Sequence, residues 1–244
     1  MCFDEDYIRG AVSDPALPVY FFDSIDSTNL ECRRRMMAGE TRCLAIADAQ
    51  TAGRGRRGRS FFSPPGAGLY LSLGFRPEGG AASVAGITTY AAVVVAEAVS
   101  RLGGIECGIK WVNDLYLDGK KVCGILAEAV GDAVIVGIGV NLTESAVPEE
   151  LWGIVGWLGR SDIRDALAAE LANGLLRYVP GDTCHMAEYR RRSLVLGRRV
   201  SFGEGGEGIA RAIADDGALI VETAGGSVKL RSGEISLTEI EGLK

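Results

Sequence analysis

Short apolar runs, separated by polar or glycine-containing turns, recur along the chain and predict β-strands. The strands are expected at residues 18–22, 43–47, 69–75, 109–117, 121–128 and 133–142. Two longer segments, 83–102 and 161–178, predict helices, and the first is apolar on all sides, as a buried helix is. A further helix is expected from Thr28 to Ala38, because residues 28–31 have capping-box spacing and Gly39 follows them.

The pattern changes after about residue 194. From there on, short β-rich segments alternate with glycine turns at 205–206, 216–217 and 225–226. This spacing predicts a small all-β barrel of about 50 residues. The sequence therefore predicts two domains. The larger, residues 1–192, is of the α+β class, with a mixed or antiparallel sheet packed against helices, and the barrel occupies residues 193–244.

A basic loop lies between two of the predicted strands. Residues 53–59 hold four arginines and three glycines. Glycine leaves backbone N–H groups accessible, and the planar arginine fork binds phosphate or carboxylate through two hydrogen bonds. The alternative is a disordered arginine–glycine patch that binds nucleic acid. Because predicted buried strands flank the loop on both sides, we favour a binding site for the anionic groups of a small ligand.

Composition limits the possible partners. The chain has 244 residues, of which 47% are hydrophobic, so it has enough apolar material for a large core. Its formal net charge is −6, whereas a general nucleic-acid binder is usually basic. The arginine loop is therefore expected to be a local site, and no nucleic acid is expected as a partner.

The cysteines and the single histidine carry no recognisable motif. The six cysteines are scattered without a C-x-x-C pair, which predicts free thiols in a reducing cytoplasm. The N-terminus lacks the layout of a signal peptide, and the most apolar window, 90–99, contains Glu97 and is too short to span a membrane. His185 is expected to face solvent.

Polar residues interrupt the predicted strand at 109–117. Lys110, Asn113 and Asp114 occur together there, and polar groups in or beside a strand need partners. Bound phosphate and Mg²⁺ would supply them. Asp118-Gly119 predicts a hairpin turn, which would return Lys121 close to the same place.

The next strand contains two glycines and ends in an asparagine. Gly137 and Gly139 lie inside the apolar run, and Asn141 follows them. Glycine inside a strand predicts the close approach of a ligand or of another backbone.

Five segments, in this order along the chain, resemble motifs of the biotin protein ligase family. Residues 50–59 resemble the biotinoyl-adenylate loop, and residues 110–114 resemble the K-W-P-N-D motif, with Val112 in place of proline. The other three resemble K-x-x-G-I-L-x-E, G-I-G-I-N and G-E-[IV]-S, at residues 121–128, 137–141 and 233–236. Phe61 stands where the family often has tryptophan. The resemblance extends from about Val19 to the end of the chain.

The resemblance implies a class II synthetase-like biotin/lipoate ligase fold with an SH3-like C-terminal barrel. It also implies that ATP, with Mg²⁺, activates biotin to biotinoyl-5′-AMP, and that biotin passes to a lysine of a biotin carboxyl carrier protein or domain. A homodimer is compatible with the resemblance. Residues 1–16 are too few for the helix-turn-helix of the family's bifunctional members, so no repressor role is expected.

The resemblance also assigns roles to residues of this sequence. The residues implied to bind biotin are Ser27, Thr28, Asn29, Gln50, Arg54, Gly55, Arg56, Lys121 and Gly124. Those implied to bind ATP or the adenylate are Arg57, Arg59, Lys110, Trp111, Asn113 and Asn141. Lys121, Arg56 and Asp114 are the implied catalytic residues, and Asp114 is either a Mg²⁺ ligand or the acceptor of a proton.

Two alternatives remain beside the biotin ligase interpretation. A lipoate or octanoate ligase or transferase shares the broad fold, but its arginine loop differs from the run at residues 53–59. A non-catalytic biotin sensor would need no catalytic groups, whereas Lys121, Asn113 and Asp114 are all present.

Overall fold

The computed structural model describes residues 3–231, 233 and 235–237; Cys2 and Glu234, which the sequence analysis considered, lie outside these residues. The larger part of the chain forms a seven-stranded mixed sheet in the order β1-β2-β3-β7-β6-β5-β4. Only the β1–β2 pair is parallel. The strands are β1 Val19–Phe22, β2 Arg42–Ala47, β3 Gly68–Phe75, β4 Gly108–Lys110, β5 Asp114–Leu117, β6 Lys120–Val130 and β7 Ala133–Asn141.

Helices cover the sheet on both faces. They are α1 Glu5–Ala11, α2 Thr28–Met37, α3 Ile87–Gly103, α4 Arg164–Leu176 and α5 Met186–Arg191. In β2, Leu44 and Ile46 join the main core with α3 and α4, whereas Cys43 and Ala45 join a second cluster with α2. Because both faces of β2 are buried, its sequence is a continuous apolar run and does not alternate with polar residues.

The second sheet is antiparallel, in the order β11-β10-β9-β8-β12. Its strands are β8 Arg199–Phe202, β9 Gly206–Ile213, β10 Leu219–Thr223, β11 Gly226–Leu230 and β12 Ile235–Leu237. The α+β class with a small antiparallel C-terminal unit of the SH3-like kind is thus confirmed. The division at 192/193 stays a prediction.

Several local predictions need correction. Residues 109–117 are not one strand, because a turn at 111–113 divides them into β4 and β5. The helix expected from residue 83 begins at Ile87, after a 3-10 turn over Ala81–Val84, and α4 is shorter than 161–178. Thr28 is not the cap of α2, since Ser27 is the N-cap residue, and Glu31 pairs with Arg34 and Arg35.

His185 does not face solvent. It is half-buried, its Nε2 lies 3.0 Å from Oγ1 of Thr89, and its ring meets the ring of Tyr90 edge-on. Burial lowers the pKa of its imidazole below the usual value. The motif-free sequence around residue 185 gave no sign of this packing, which depends on a helix almost a hundred positions earlier.

Other predictions hold. Asp118 and Gly119 both adopt positive φ, 49° and 77°, as a two-residue hairpin turn requires. All five cysteines among the described residues are free thiols. In the same part of the chain, no helix has both the length and the apolarity needed to cross a bilayer.

Candidate active site

The arginine–glycine loop is a closed hairpin. Its two sides are joined by the hydrogen bonds from Gly55 N to the Arg59 carbonyl at 2.8 Å and from Phe61 N to the Gly53 carbonyl at 2.9 Å. A short 3-10 turn, Arg56–Gly58, forms the tip, where Arg57 has a φ of 56°. The chain between the two buried strands thus has a defined path, which does not fit the interpretation as a disordered nucleic-acid patch.

Arg54 and Arg56 reach groups outside the loop. Arg54 forms an ion pair with Glu128 of β6, with 3.1 Å between Nη2 and Oε1. Arg56 donates a hydrogen bond of 2.9 Å from Nη1 to Oδ1 of Asn113. These two contacts join the loop to β6 and to the 111–113 turn.

Asn113, Asp114 and Lys121 lie together, as the sequence predicts. The Lys121 ammonium is 2.8 Å from Oδ1 of Asp114, and Nδ2 of Asn113 donates to the same oxygen at 2.8 Å. Asn113 Nδ2 also lies 3.0 Å from the carbonyl of Ile125. The hairpin turn at 118–119 makes this cluster, because it returns β6 alongside β5 with Asp114 opposite Gly124.

A second polar group lies at the start of α2. Oε1 of Gln50 accepts hydrogen bonds from the Thr28 backbone N–H at 2.9 Å and from the Thr28 hydroxyl at 3.1 Å. Nε2 of Gln50 donates to Oγ of Ser63 at 2.9 Å. Ser27, the N-cap residue, makes no side-chain capping bond. Amide and hydroxyl groups are thus presented in fixed orientations.

Asn29 is held by protein groups at both ends of its amide. Its Nδ2 donates to Glu128 at 2.9 Å, and its Oδ1 lies 2.6 Å from the hydroxyl of Ser72. A methyl group on Gly137 would come within 1.9 Å of Oδ1 of Asn29. Asn29 therefore lines the cleft but also fixes the first turn of α2 against the sheet.

The strand glycines make room for side chains. The sequence predicts the close approach of a ligand or of another backbone at Gly137 and Gly139, and both glycines line the first of the two clefts described below. Asn29 occupies the space at Gly137, and the ring of Phe61 lies where a Cβ of Gly139 would stand, with 2.4 Å to its nearest carbon. The same ring also approaches Gly124.

Two adjoining clefts are formed by these groups. The first encloses about 430 Å³ and contains the hydroxyl and amide groups of the α2 end. The second encloses about 640 Å³ and is lined by basic side chains and by Gly233 and Ile235 of the C-terminal unit. The residues that line both clefts are Gly55, Arg56, Phe61, Asn113 and Lys121.

The five residues that both clefts share form the junction of the two clefts. The other predicted site residues are distributed as follows. Ser27, Thr28, Asn29, Gln50, Arg54 and Gly124 line the first cleft only. Arg57, Arg59, Lys110, Trp111 and Asp114 line the second cleft only. A single short path thus runs from neutral hydrogen-bonding groups, past Lys121 and Arg56, to a cluster of cations.

Two predicted nucleotide contacts have other partners in the structure. Asn141 lines neither cleft; its Nδ2 donates to the carbonyl of Gly156 at 3.1 Å and lies 3.4 Å from that of Lys121. Trp111 is almost fully buried, and its indole N–H donates to the carbonyl of Gly217 at 2.9 Å. Both side chains thus hydrogen-bond to backbone carbonyls near the site.

The donor set does not form a magnesium site of its own. No cluster of three or more His, Cys, Asp and Glu side chains occurs among the described residues. Of the carboxylates there, Asp114 alone lines either cleft, and its Oδ1 is already bonded to Lys121 and Asn113. Mg²⁺ ordinarily comes bound to substrate phosphates.

Sequence reasoning missed three residues of this network. Glu128 joins Arg54 to Asn29, and Ser72 and Ser63 orient the polar groups around Thr28 and Gln50. Glu128 was visible as the last residue of the K-x-x-G-I-L-x-E segment, but the sequence gave no partner for it. The two serines stand in an apolar strand and in a proline-containing turn, where no signal distinguished them.

Comparisons with known proteins agree with this geometry. The profile of the biotin/lipoate A/B protein ligase family matches residues 21–142, and that of the biotin protein ligase C-terminal domain matches residues 195–238. The bifunctional ligase/repressor BirA of Escherichia coli is 36% identical over 234 residues, which cover 89% of this chain and 73% of BirA.

Two further proteins extend the comparison. The biotin–[acetyl-CoA-carboxylase] ligase of Mycobacterium tuberculosis is 33% identical, over 86% of this chain and 85% of its own. The biotin protein ligase of Aquifex aeolicus, solved in complex with biotin and ATP, superimposes with a TM-score of 0.79 at 28% identity, over 91% of this chain and 99% of its own. This chain therefore belongs to the biotin/lipoate A/B protein ligase family.

Proposed function

We propose that the protein activates biotin with ATP to biotinoyl-5′-AMP and then transfers the biotinoyl group to a lysine of a biotin carboxyl carrier domain. The observation that carries the proposal is the junction of two clefts at Lys121, Arg56 and Asn113. One cleft offers hydrogen-bonding groups for a neutral ring, and the other offers cations for phosphates. The reacting carboxylate and α-phosphate would meet where both clefts share a lysine and an arginine.

The first step joins two anions, so its main requirement is neutralisation of charge. A carboxylate oxygen of biotin attacks the α-phosphorus, the bond to pyrophosphate breaks, and negative charge develops between the two substrates. The ammonium of Lys121 and the guanidinium of Arg56 stand at that position, and Arg57, Arg59 and Lys110 line the cleft beyond it.

The second step needs a base for the incoming lysine amine, which attacks the biotinoyl carbonyl carbon and releases AMP. Among the described residues, Asp114 is the one carboxylate that lines either cleft, and Lys121 contacts its Oδ1, so we assign the role of base to it. Neither step needs a nucleophile from the enzyme. This agrees with the thiols of Cys107 and Cys123, whose pKa values burial raises and which are therefore unreactive.

The neutral end of the first cleft favours biotin over lipoate or octanoate. A ureido ring has two N–H donors and one carbonyl acceptor, and Ser27, Thr28 and Gln50 present hydroxyl and amide groups to it. A dithiolane ring or an alkyl end offers these polar groups no hydrogen-bonding partner. The proposal implies a biotin carboxyl carrier domain as the partner and Mg²⁺ as the ion bound to ATP. It also implies a cytoplasmic location, where ATP is available.

The test is the mass of a purified biotin carrier domain after incubation with the protein, MgATP and one carboxylic acid. The proposal expects the gain of one biotinoyl group, only when biotin and ATP are both present. Acylation by lipoate or octanoate without biotinylation would assign the protein to the sister activity. Tight binding of biotin without any transfer would overturn the catalytic proposal and leave a biotin sensor.

A further inference from the structure

Two hydrogen bonds hold the turn that carries Asn113, and their partners outside the turn, Tyr189 and Gly217, line neither of the two clefts. The turn spans residues 111–113, between β4 and β5. The hydroxyl of Tyr189, in α5, donates to the carbonyl of Val112 at 3.1 Å. The indole N–H of Trp111 donates to the carbonyl of Gly217, in the C-terminal unit, at 2.9 Å.

Tyr189, which holds Val112, is itself fixed by its surroundings. Tyr189 is fully buried, and burial raises the pKa of its hydroxyl, with Asp114 acting in the same direction, so that the group remains a donor at neutral pH. The chain that follows α5 runs beside β4, where the N–H of Ile109 donates to the Arg192 carbonyl at 2.8 Å. The element that holds Val112 is therefore itself fixed to the base of the same hairpin.

Gly217 is also fixed. Its N–H donates to the carbonyl of Ala214 at 2.9 Å, and the N–H of Ala214 donates to the carbonyl of Ala218 at 2.9 Å, so the turn is closed on itself. Its φ is 78°, and a methyl group there would meet Thr89 of α3 at 3.2 Å. The carbonyl that receives the Trp111 hydrogen bond thus stands in a single orientation, set by the C-terminal unit.

The position of this turn decides the position of Asn113. Asn113 donates to Asp114 and to the carbonyl of Ile125, and it accepts from Arg56, so its amide has one orientation that satisfies all partners. A shift of the turn would move Asn113 and, with it, the guanidinium of Arg56. Misplacement of reacting groups by about 1 Å is enough to cost about 100-fold in rate.

We propose that Tyr189 is a positioning residue for adenylate formation, acting through the 111–113 turn on Asn113 and Arg56, and that Trp111 gives the C-terminal unit the same influence. Neither residue is expected to contact biotin. The inference rests on the proposed function. To the implied nucleotide contact of Trp111, which lines the second cleft, it adds a role as a link between the two units of the chain.

The experiment compares Tyr189→Phe with Tyr90→Phe. Tyr90 is a matched control, because its hydroxyl also donates to a backbone carbonyl, that of Gly174, at 2.9 Å, and it lines neither cleft. Both variants lose one partly buried tyrosine–carbonyl hydrogen bond. The measurements are biotin-dependent exchange of pyrophosphate into ATP, the Kd for biotin without ATP, and the thermal unfolding midpoint.

Tyr189→Phe is expected to lower kcat of the exchange about 10- to 100-fold and to leave the biotin Kd within about twofold, whereas Tyr90→Phe leaves both unchanged. Trp111→Phe, which removes the bond to Gly217, is expected to show the same pattern as Tyr189→Phe. In Asn113→Ala protein, addition of Tyr189→Phe should cause no further loss, because both changes act through one side chain.

Equal exchange rates in Tyr189→Phe and Tyr90→Phe would overturn the inference, as would fully additive losses in the double variant. Should Tyr189→Phe fail to fold, Trp111→Phe in Asn113→Ala protein decides: no further loss supports the inference, and a fully additive loss overturns it. Failure of the proposed function is distinct, since the wild-type protein would then show no biotin-dependent exchange at all.

Discussion

Lys121 and Asp114 form an ion pair of 2.8 Å at the junction of the two clefts, with about a quarter of each side chain exposed. Asp114 therefore fixes the ammonium in place before it meets the substrates. Both residues lie on neighbouring strands of one hairpin, so the geometry follows directly from the turn at Asp118-Gly119. Such a pair is less screened by water than a surface pair, and its orientation is accordingly better defined.

Replacing Asp114 by Asn is expected to slow adenylate formation by about tenfold, because the Lys121 ammonium loses its fixed partner. Biotin binding in the absence of ATP should change little, since Asp114 does not line the first cleft. Rapid-quench measurement of biotinoyl-AMP, beside calorimetry with biotin, separates the two effects. Asp132→Asn, at an exposed carboxylate that pairs with Arg76, is the control and should leave the rate unaltered.

A methyl group at Gly137 is expected to displace Asn29, because it would stand 1.9 Å from Oδ1. We predict that Gly137→Ala lowers stability by about 1–3 kcal/mol and weakens biotin binding at least about tenfold. Gly10→Ala is the matched control, since a Cβ at this helical and exposed position meets nothing within 4 Å. Urea unfolding and calorimetry check both. Unchanged biotin affinity in Gly137→Ala would contradict the placement of Asn29 in the cleft.

The base of the arginine loop depends on a buried ion pair. Oδ1 of Asp48 lies 2.8 Å from the Arg164 guanidinium, and Oδ2 accepts the N–H of Gly66 at 3.0 Å, so Asp48 joins both ends of the loop to α4. Asp48→Ala is expected to lower the free energy of unfolding by about 3–5 kcal/mol, because it leaves a buried guanidinium without this partner. Asp162→Ala breaks an exposed pair with Arg160 and should leave the urea midpoint unaltered.

His185 makes the free energy of unfolding depend on pH. Its titration can be followed by NMR without ambiguity of assignment, since it is the only histidine in the sequence. Its folded-state pKa lies below the usual 6.5, because burial disfavours the charged ring. The unfolded chain then binds more protons than the folded one, so stability is full above about pH 6.5 and falls as the pH drops below it. We predict an NMR titration midpoint below 6.5, and a weaker loss of stability between pH 7 and 5 in His185→Gln. A midpoint at or above 6.5 would contradict the buried placement.

The sequence was sufficient for the features that rest on local chemistry. The hairpin at Asp118-Gly119 follows from residues that tolerate positive φ, and the buried strands follow from unbroken apolar runs. The order of the motifs brought Lys121 close to Asp114, because a two-residue turn leaves little choice of register.

The features that the sequence did not reveal rest on contacts between distant residues. The turn at 111–113 contains neither glycine nor proline, so the apolar pattern of residues 109–117 suggested one strand. Its path is set by Tyr189 and Gly217, 77 and 106 positions from their partners. Likewise, Glu128 bonds to Asn29, which lies 99 positions earlier in the chain.

The central claim is that Lys121 catalyses the joining of biotin to the α-phosphate at the junction of the two clefts. The most direct test is a single-turnover reaction of the protein with biotin and α-labelled ATP, followed by chromatography of the labelled products. We predict that biotinoyl-AMP forms in the wild type and in Lys120→Ala, an exposed neighbour in the same hairpin, and that its rate falls about 100- to 1000-fold in Lys121→Ala. Equal rates in Lys121→Ala and Lys120→Ala would contradict the account.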